Sequence, residues 1–257
     1  MRVLVTRPQA QADDWVARLQ ALGLDAVGLP LLGIAPPPND QDVLAAWGEL
    51  PRLTLVVFVS PNAVEQFFRL RPPGHRWPAG LLAAGTGPGT AAALVQAGVP
   101  APQVVCPAAD APQFDSEALW QLLQALRPWP GAAALIVRGD GGRDWLATTL
   151  QAQGAAVQFV QSYRRVLPEL TPAASAVLAQ AQALPDRHLW LFSSSEAVHN
   201  LPRLAPGFDG RAARALATHA RIAQAAQAIG FGRVLQVLAT PAAVAAALAR
   251  SIQSPPP

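Results

Sequence analysis

The chain has 257 residues, 51% of them hydrophobic, and its 19 basic against 16 acidic residues give a formal net charge of +3. Every basic residue is an arginine. The absence of lysine excludes Schiff-base catalysis, a P-loop lysine and a Ser–Lys dyad, and argues against a response-regulator receiver domain. A single cysteine, Cys106, excludes an internal disulfide and a cysteine-built metal site, and His75, His188, His199 and His219 never stand at a metal-ligand spacing.

Short apolar runs alternate with longer segments of helical period, the pattern of an α/β protein with parallel sheets. A strand at 3–5 precedes a helix at about 9–22 closed by Gly23, and 25–32 is extended. A strand at 55–59 precedes a helix opened by Ser60-Pro61-Asn62, and a strand at 81–84 leads through a loop at 85–90 into a helix ending at Gly98. A short strand at 103–105 leads to a helix at 115–127 with Asp115 or Ser116 as N-cap. A strand at 134–137 is followed by Gly139-Asp140-Gly141-Gly142, a helix to about Gly154 and a strand at 156–163. The last units are a strand at 189–192 before Ser193-Ser194-Ser195 and a helix, a strand near 215–217 with a helix to Gly230, and a strand at 233–237 with a helix over 242–252.

The order repeats once. Arg7…Gly23 superposes on Arg138…Gly154, Phe58-x-Ser60-x-x-Ala63-Val64 on Phe192-x-Ser194-x-x-Ala197-Val198, and Thr86…Gly98 on Thr218…Gly230, at offsets of 131, 134 and 132 residues. Pro-rich stretches at 33–40 and 165–172 then predict two domains, one discontinuous: 1–34 with 169–252, and 39–164, with linkers at 35–38 and 165–168 and a disordered tail at 253–257. A tandem split near Pro128-Trp129-Pro130-Gly131 is the alternative. Met1 runs into a strand without a leader-like segment, and runs such as 55–59 fall far short of the ~18 residues that span a bilayer. The expectation is a cytoplasmic monomer without nucleic-acid or membrane partners, its arginines being scattered.

In open parallel sheets, ligands bind beyond the carboxyl ends of the strands, where helix N-termini offer free N–H groups. Those positions are polar in both halves, and Arg7 and Arg138 stand at two of them, so an anionic ligand held between two facing domains is expected. Gly85-x-Gly87-x-x-Thr90 departs from the dinucleotide fingerprint at its third glycine and carries Pro88. Ser193–Ser195 lacks a nucleophile elbow. Gly139-Asp140-Gly141-Gly142 could cradle an anion or form a tight turn. Tyr163, the one tyrosine, could pack in the core or offer its hydroxyl as an acid.

Val3-Leu4-Val5-Thr6-Arg7-Pro8, Phe58–Val64, Gly85–Ala91, Ile136-Val137-Arg138-Gly139 with Arg143, and Tyr163-x-Arg165 stand in an order that resembles the uroporphyrinogen-III synthases over essentially the whole chain. The resemblance implies two similar flavodoxin-like parallel-sheet domains joined by a two-stranded connection. It also implies a cofactor-free closure of the linear tetrapyrrole hydroxymethylbilane with inversion of its last ring. Tyr163 is then the candidate proton donor. Thr6, Arg7, Ser60, Thr90, Arg138, Gly139 and Ser194 are candidate substrate contacts. Where the family often carries a Thr, this chain has Ile222, and Arg221 or His219 is the candidate replacement. A non-catalytic anion sensor and a flavodoxin-like nucleotide-binding enzyme are the alternatives.

Overall fold

Two five-stranded, all-parallel sheets form, each by the alternation of apolar strand and amphipathic helix. The computed structural model describes residues 1–253; of the tail expected at 253–257, Gln253 ends the last helix and 254–257 lie outside the described residues. The chain divides into two compact units, Met1–Gly33 with the chain from Val166 onward, and Ile34–Arg165. Among the described residues no helix is long and apolar enough to cross a membrane.

The first unit contains β1 (Arg2–Val5), α1 (Gln9–Ala21) and β2 (Ala26–Gly28), then α7 (Pro172–Ala183), β10 (His188–Phe192), α8 (Ser195–Leu204), β11 (Arg214–Ala217), α9 (Ala220–Ala228), β12 (Arg233–Gln236) and α10 (Pro241–Gln253). Its strands lie in the order β12-β11-β10-β1-β2. Alternation along the strands sends side chains to both faces. Val3 and Val5 pack with Trp15 and Leu19 of α1 and Val244 and Leu248 of α10. Leu4, Trp190 and Phe192 pack with α7, α8 and α9 and with Phe231. Phe192 meets Phe231 edge-on at 5.4 Å between ring centroids.

The second unit contains α2 (Asp40–Glu49), β4 (Leu55–Phe58), α3 (Pro61–Arg69), β5 (Leu82–Gly85), α4 (Pro88–Gln96), β6 (Val104–Val105), α5 (Ser116–Leu126), β7 (Ala133–Arg138), α6 (Trp145–Ala152) and β8 (Ala156–Gln161). Its order is β6-β5-β4-β7-β8. Leu55, Val57, Ala134 and Ile136 face α5 and α6, while Val56, Phe58, Leu135 and Val137 face α2, α3 and α4. A two-stranded sheet of β3 (Gly33–Ala35) and β9 (Arg164–Val166) marks the chain's two crossings. Gly33 is required there by close approach: a Cβ on it would lie 2.8 Å from Val166 Cγ2.

The internal repeat extends to the register of the sheets. Val5 pairs with Leu191, and Leu191 with Leu216. Shifted by the three sequence offsets, these become Ile136 with Val57 and Val57 with Ala84, both of which are paired. The 131-residue offset also carries Val5·Gly28 onto Ile136·Phe159 and β3 onto β9. In both units the strand order therefore reverses direction at one equivalent place, β1/β10 and β7/β4, the switch point at which open α/β sheets bind ligands.

Two helices, α2 and α7, go beyond the sequence expectation. Each covers a face that would otherwise be bare: Val43 and Trp47 close over Phe58, and Leu178 and Ala181 join the cluster around Trp190. Their signals are local and present, Asn39 accepting from Gln41 N–H and Thr171 from Ala174 N–H, with Pro172 at the first helical position. The loop expected at 85–90 is shorter, because α4 already begins at Pro88. His188, expected before its strand, is the first residue of β10. Replacing Phe192 by Ala is expected to cost about 3–5 kcal/mol through the cavity it leaves, read as a lower urea midpoint at unchanged denaturant slope.

Candidate functional site

In the second unit, three of the expected site residues come together at the switch point. Ser60 leaves β4 as the N-cap of α3 and accepts from Ala63 N–H at 3.2 Å, as a Ser before Pro at the first helical position should. Its Oγ also lies 3.2 Å from the Tyr163 hydroxyl. The tyrosine is 2% exposed, so its ring is core and its hydroxyl is directed. It stands beyond the end of β8, which stops at Gln161 and not at 163 as the apolar run suggests; the departure from strand alternation frees its side chain to turn toward Ser60. The ring lies on Gly139, where a Cβ would come within 2.6 Å of Tyr163 Cζ, so Gly139 serves as the floor under the tyrosine.

Ser60 Oγ has one proton and two lone pairs, and the Ala63 amide takes one lone pair. Its proton can therefore be given to Tyr163 Oη, which leaves the phenol proton for a third group. Arg138 lies flat on Phe159, 4.0 Å from the ring centroid, and donates from Nη1 to Asp144 Oδ1 at 2.5 Å. Arg143 forks onto Glu117. Thr90 is separate from this group and buried, its methyl and Cβ packed where a side chain on Gly85 would fall.

The first unit repeats part of this arrangement. Arg7, the counterpart of Arg138, lies over Trp15 at 4.3 Å and donates to Gln11 Oε1 at 3.3 Å, while its Nε is buried without a hydrogen-bond partner among the described residues. Burial pushes the Arg7 guanidinium down to about 10, and repulsion from Arg18 acts the same way, yet it keeps its charge at neutral pH. Ser194, the counterpart of Ser60, caps α8 by accepting from Glu196 N–H at 3.2 Å. The Thr6 hydroxyl is buried and donates to Leu191 O at 2.7 Å, so it ties β1 to β10. His219 caps α9, its Nδ1 accepting from Arg221 N–H at 3.1 Å, while Ile222 is buried and the Arg221 residue is exposed. His188 Nδ1 faces Leu184 O at 2.8 Å, a structural bond.

A family model described as "Uroporphyrinogen-III synthase HemD" matches residues 13–244. The chain belongs to the uroporphyrinogen-III synthase family. It is 32% identical over 210 residues to the uroporphyrinogen-III synthase of Escherichia coli strain K12, covering 80% of each chain. It is 31% identical over 209 residues to that of Synechococcus elongatus, covering 79% of this chain and 74% of the relative. Its fold is that of the solved uroporphyrinogen-III synthetase of Helicobacter pylori 26695, with a TM-score of 0.61 at 17% identity over 98% of this chain and 100% of that one. A mutant uroporphyrinogen III synthase from the extremely thermophilic bacterium Thermus thermophilus gives 0.58 at 19% identity over 98% and 99%.

Sequence inspection missed the carboxylates that hold the arginines: Asp144 on Arg138, Glu117 on Arg143 and Asp140 on Arg165. The first and last follow a strand end within a few residues and could have been suspected; Glu117 is distant in sequence. Cys106 is half-buried. Burial pushes its thiol up to about 11, so alkylation by iodoacetamide at pH 8 is expected to run on the order of 100-fold slower in the native protein than in the urea-unfolded chain. Gly139→Ala is expected to lower stability by about 1–3 kcal/mol through overpacking against Tyr163. Gly48→Ala, in α2 with nothing within 4 Å of the added methyl, should raise it by about 0.4–1 kcal/mol. Urea midpoints measure both.

Proposed function

We propose that this chain is a lyase that closes hydroxymethylbilane into uroporphyrinogen III, inverting the last ring and losing water without a cofactor. Family membership over residues 13–244 supports the reaction, and the Ser60–Tyr163–Gly139 assembly at a switch point supports the assignment of its acid. Each pyrrole of the substrate carries an acetate and a propionate. Such a polyanion suits helix starts and arginines, and each unit offers both: the starts of α1 and α8 with Arg7, and the starts of α3 and α6 with Arg138. Thr6 and Ser194 stand at those strand ends in the first unit, and Thr90 and Arg221 lie in the first turns of the helices that follow the neighbouring strands β5 and β11.

In this mechanism Tyr163 gives its phenol proton to the leaving hydroxyl. The C–O bond breaks, water departs, and the resulting azafulvene carbon is attacked by the substituted carbon of the terminal ring to give a spiro intermediate. The bond from the spiro carbon to its former methylene neighbour breaks, the freed methylene bonds to the unsubstituted carbon of the same ring, which is thereby inverted, and the proton that this carbon loses restores the pyrrole and returns to the Tyr163 phenolate. Ser60, donating to Tyr163 Oη, supports the phenolate as it forms. The rest of the rate comes from holding the chain folded so that its two ends meet. The protein is further taken to act in the cytoplasm as a monomer, which size-exclusion chromatography tests.

Purified protein given hydroxymethylbilane is expected to yield the type III isomer, separated by chromatography after oxidation; type I alone at high protein concentration overturns the proposal. Tyr163→Phe should lower kcat about 100-fold with the fold intact by circular dichroism. Binding of the tetrapyrrole without turnover would favour the anion-sensor alternative, and a nucleotide or flavin carried through purification would favour the other.

A further inference from the structure

Asp140 lies on the loop that leaves β7, directly after the glycine beneath Tyr163. The loop runs beside the segment that leaves β8, because Arg138 pairs with Gln161 across the sheet. Two ties hold the segments together beyond the strand ends. Upstream of the tyrosine, Ser162 N–H donates to Arg138 O at 2.8 Å. Downstream, Arg165 N–H donates to Asp140 Oδ1 at 3.0 Å and Arg165 Nη1 to Asp140 O at 2.8 Å, with the carboxylate 3.8 Å from the guanidinium. Tyr163 is thus strung between two anchors, both on the stretch that carries Gly139.

We propose that Asp140 is a positioning residue for the Tyr163 hydroxyl: by accepting from Arg165 N–H, its carboxylate closes the segment that presses the ring onto Gly139 and sets Oη beside Ser60. The inference rests on the reading of Tyr163 as the proton donor.

The internal repeat supplies a second line of support. Arg138 and Ser60 have counterparts in the first unit, Arg7 and Ser194. At the 131-residue offset Gly139 becomes Pro8, Asp140 becomes Gln9, Tyr163 becomes Leu32 and Arg165 becomes Ile34. The floor, the clasp, the phenol and the clasped arginine are all absent together from the unit that lacks the tyrosine. Stability alone does not account for the ion pair either: Asp140 is 47% exposed at its side chain, and an ion pair open to solvent adds little to a fold.

The test separates position from charge. Asp140→Asn keeps an oxygen at the same place and loses the charge; Asp140→Glu keeps the charge and moves the oxygen by a methylene; Asp140→Ala removes both. Because Tyr163 is the one tyrosine, 3-fluorotyrosine gives a single fluorine resonance that reports on its ring. Asp140→Ala and Asp140→Glu are expected to lower kcat about tenfold at a KM within twofold of the parent, and to move the resonance toward its urea-unfolded position. Asp140→Asn is expected to keep both near the parent values. Native kcat and resonance in Asp140→Ala and Asp140→Glu overturn the proposal, and so does an Asp140→Asn as impaired as Asp140→Glu. A displaced resonance with native turnover overturns the proposal if Tyr163→Phe is slow, and overturns the catalytic reading of Tyr163 if that variant is not.

Discussion

The register of one strand pair in each sheet places every residue discussed above. In β1 and β10, Val5 lies beside Leu191, so the chain leaves the sheet at Thr6-Arg7 next to Ser193-Ser194. In β7 and β4, Val137 lies beside Phe58, and Arg138-Gly139 leaves next to Ser60. A slip of one residue in either pair would send Leu4 or Val57 to the opposite face. The apolar clusters on both faces of each sheet forbid that slip. Core packing and site geometry are in this sense the same constraint, since the buried side chains of the central strands fix the directions in which their ends point.

The repeat separates the parts of the arrangement that both units share from those that only one carries. Both units keep a guanidinium stacked on an aromatic ring and a serine at the start of the next helix, the parts suited to holding an anion. Only one keeps a buried phenol with a glycine beneath it. The fold supplies two copies of one frame, and the residues added to one copy supply its buried phenol.

Local sequence controls what can be read before the chain is folded. Ser60, Asp115 and Ser194 are legible as caps because a cap is settled by the residues next to it. The repeat offsets are legible because they are sums over many local matches, and they foreshadow the sheet register. The Thr6 bond to Leu191 O is not legible, since its partner is 185 residues away. Nor are the partners of the arginines, which depend on loops crossing beside one another. The resemblance offers His219 as a ligand contact; not legible is that its ring nitrogen caps the helix that carries Arg221, a role ordinarily filled by Ser, Thr, Asp or Asn. Helices α2 and α7 are legible in principle, because the same offset that aligns Ser60 with Ser194 lays one over the other.

The absence of lysine strikes out mechanisms, and it also governs the charge the molecule carries. Most proteins shed positive charge as the medium turns alkaline, because ammonium groups deprotonate near 10.4. Here the side-chain cations beyond the histidines are guanidiniums, of which Arg7, deprived of water by burial, is pushed down to about 10. With the Cys106 thiol held up to about 11, the field presented to a polycarboxylate stays nearly constant through weakly alkaline conditions. A change in behaviour across that interval would then report chiefly on the guest, against a nearly constant set of side-chain cations.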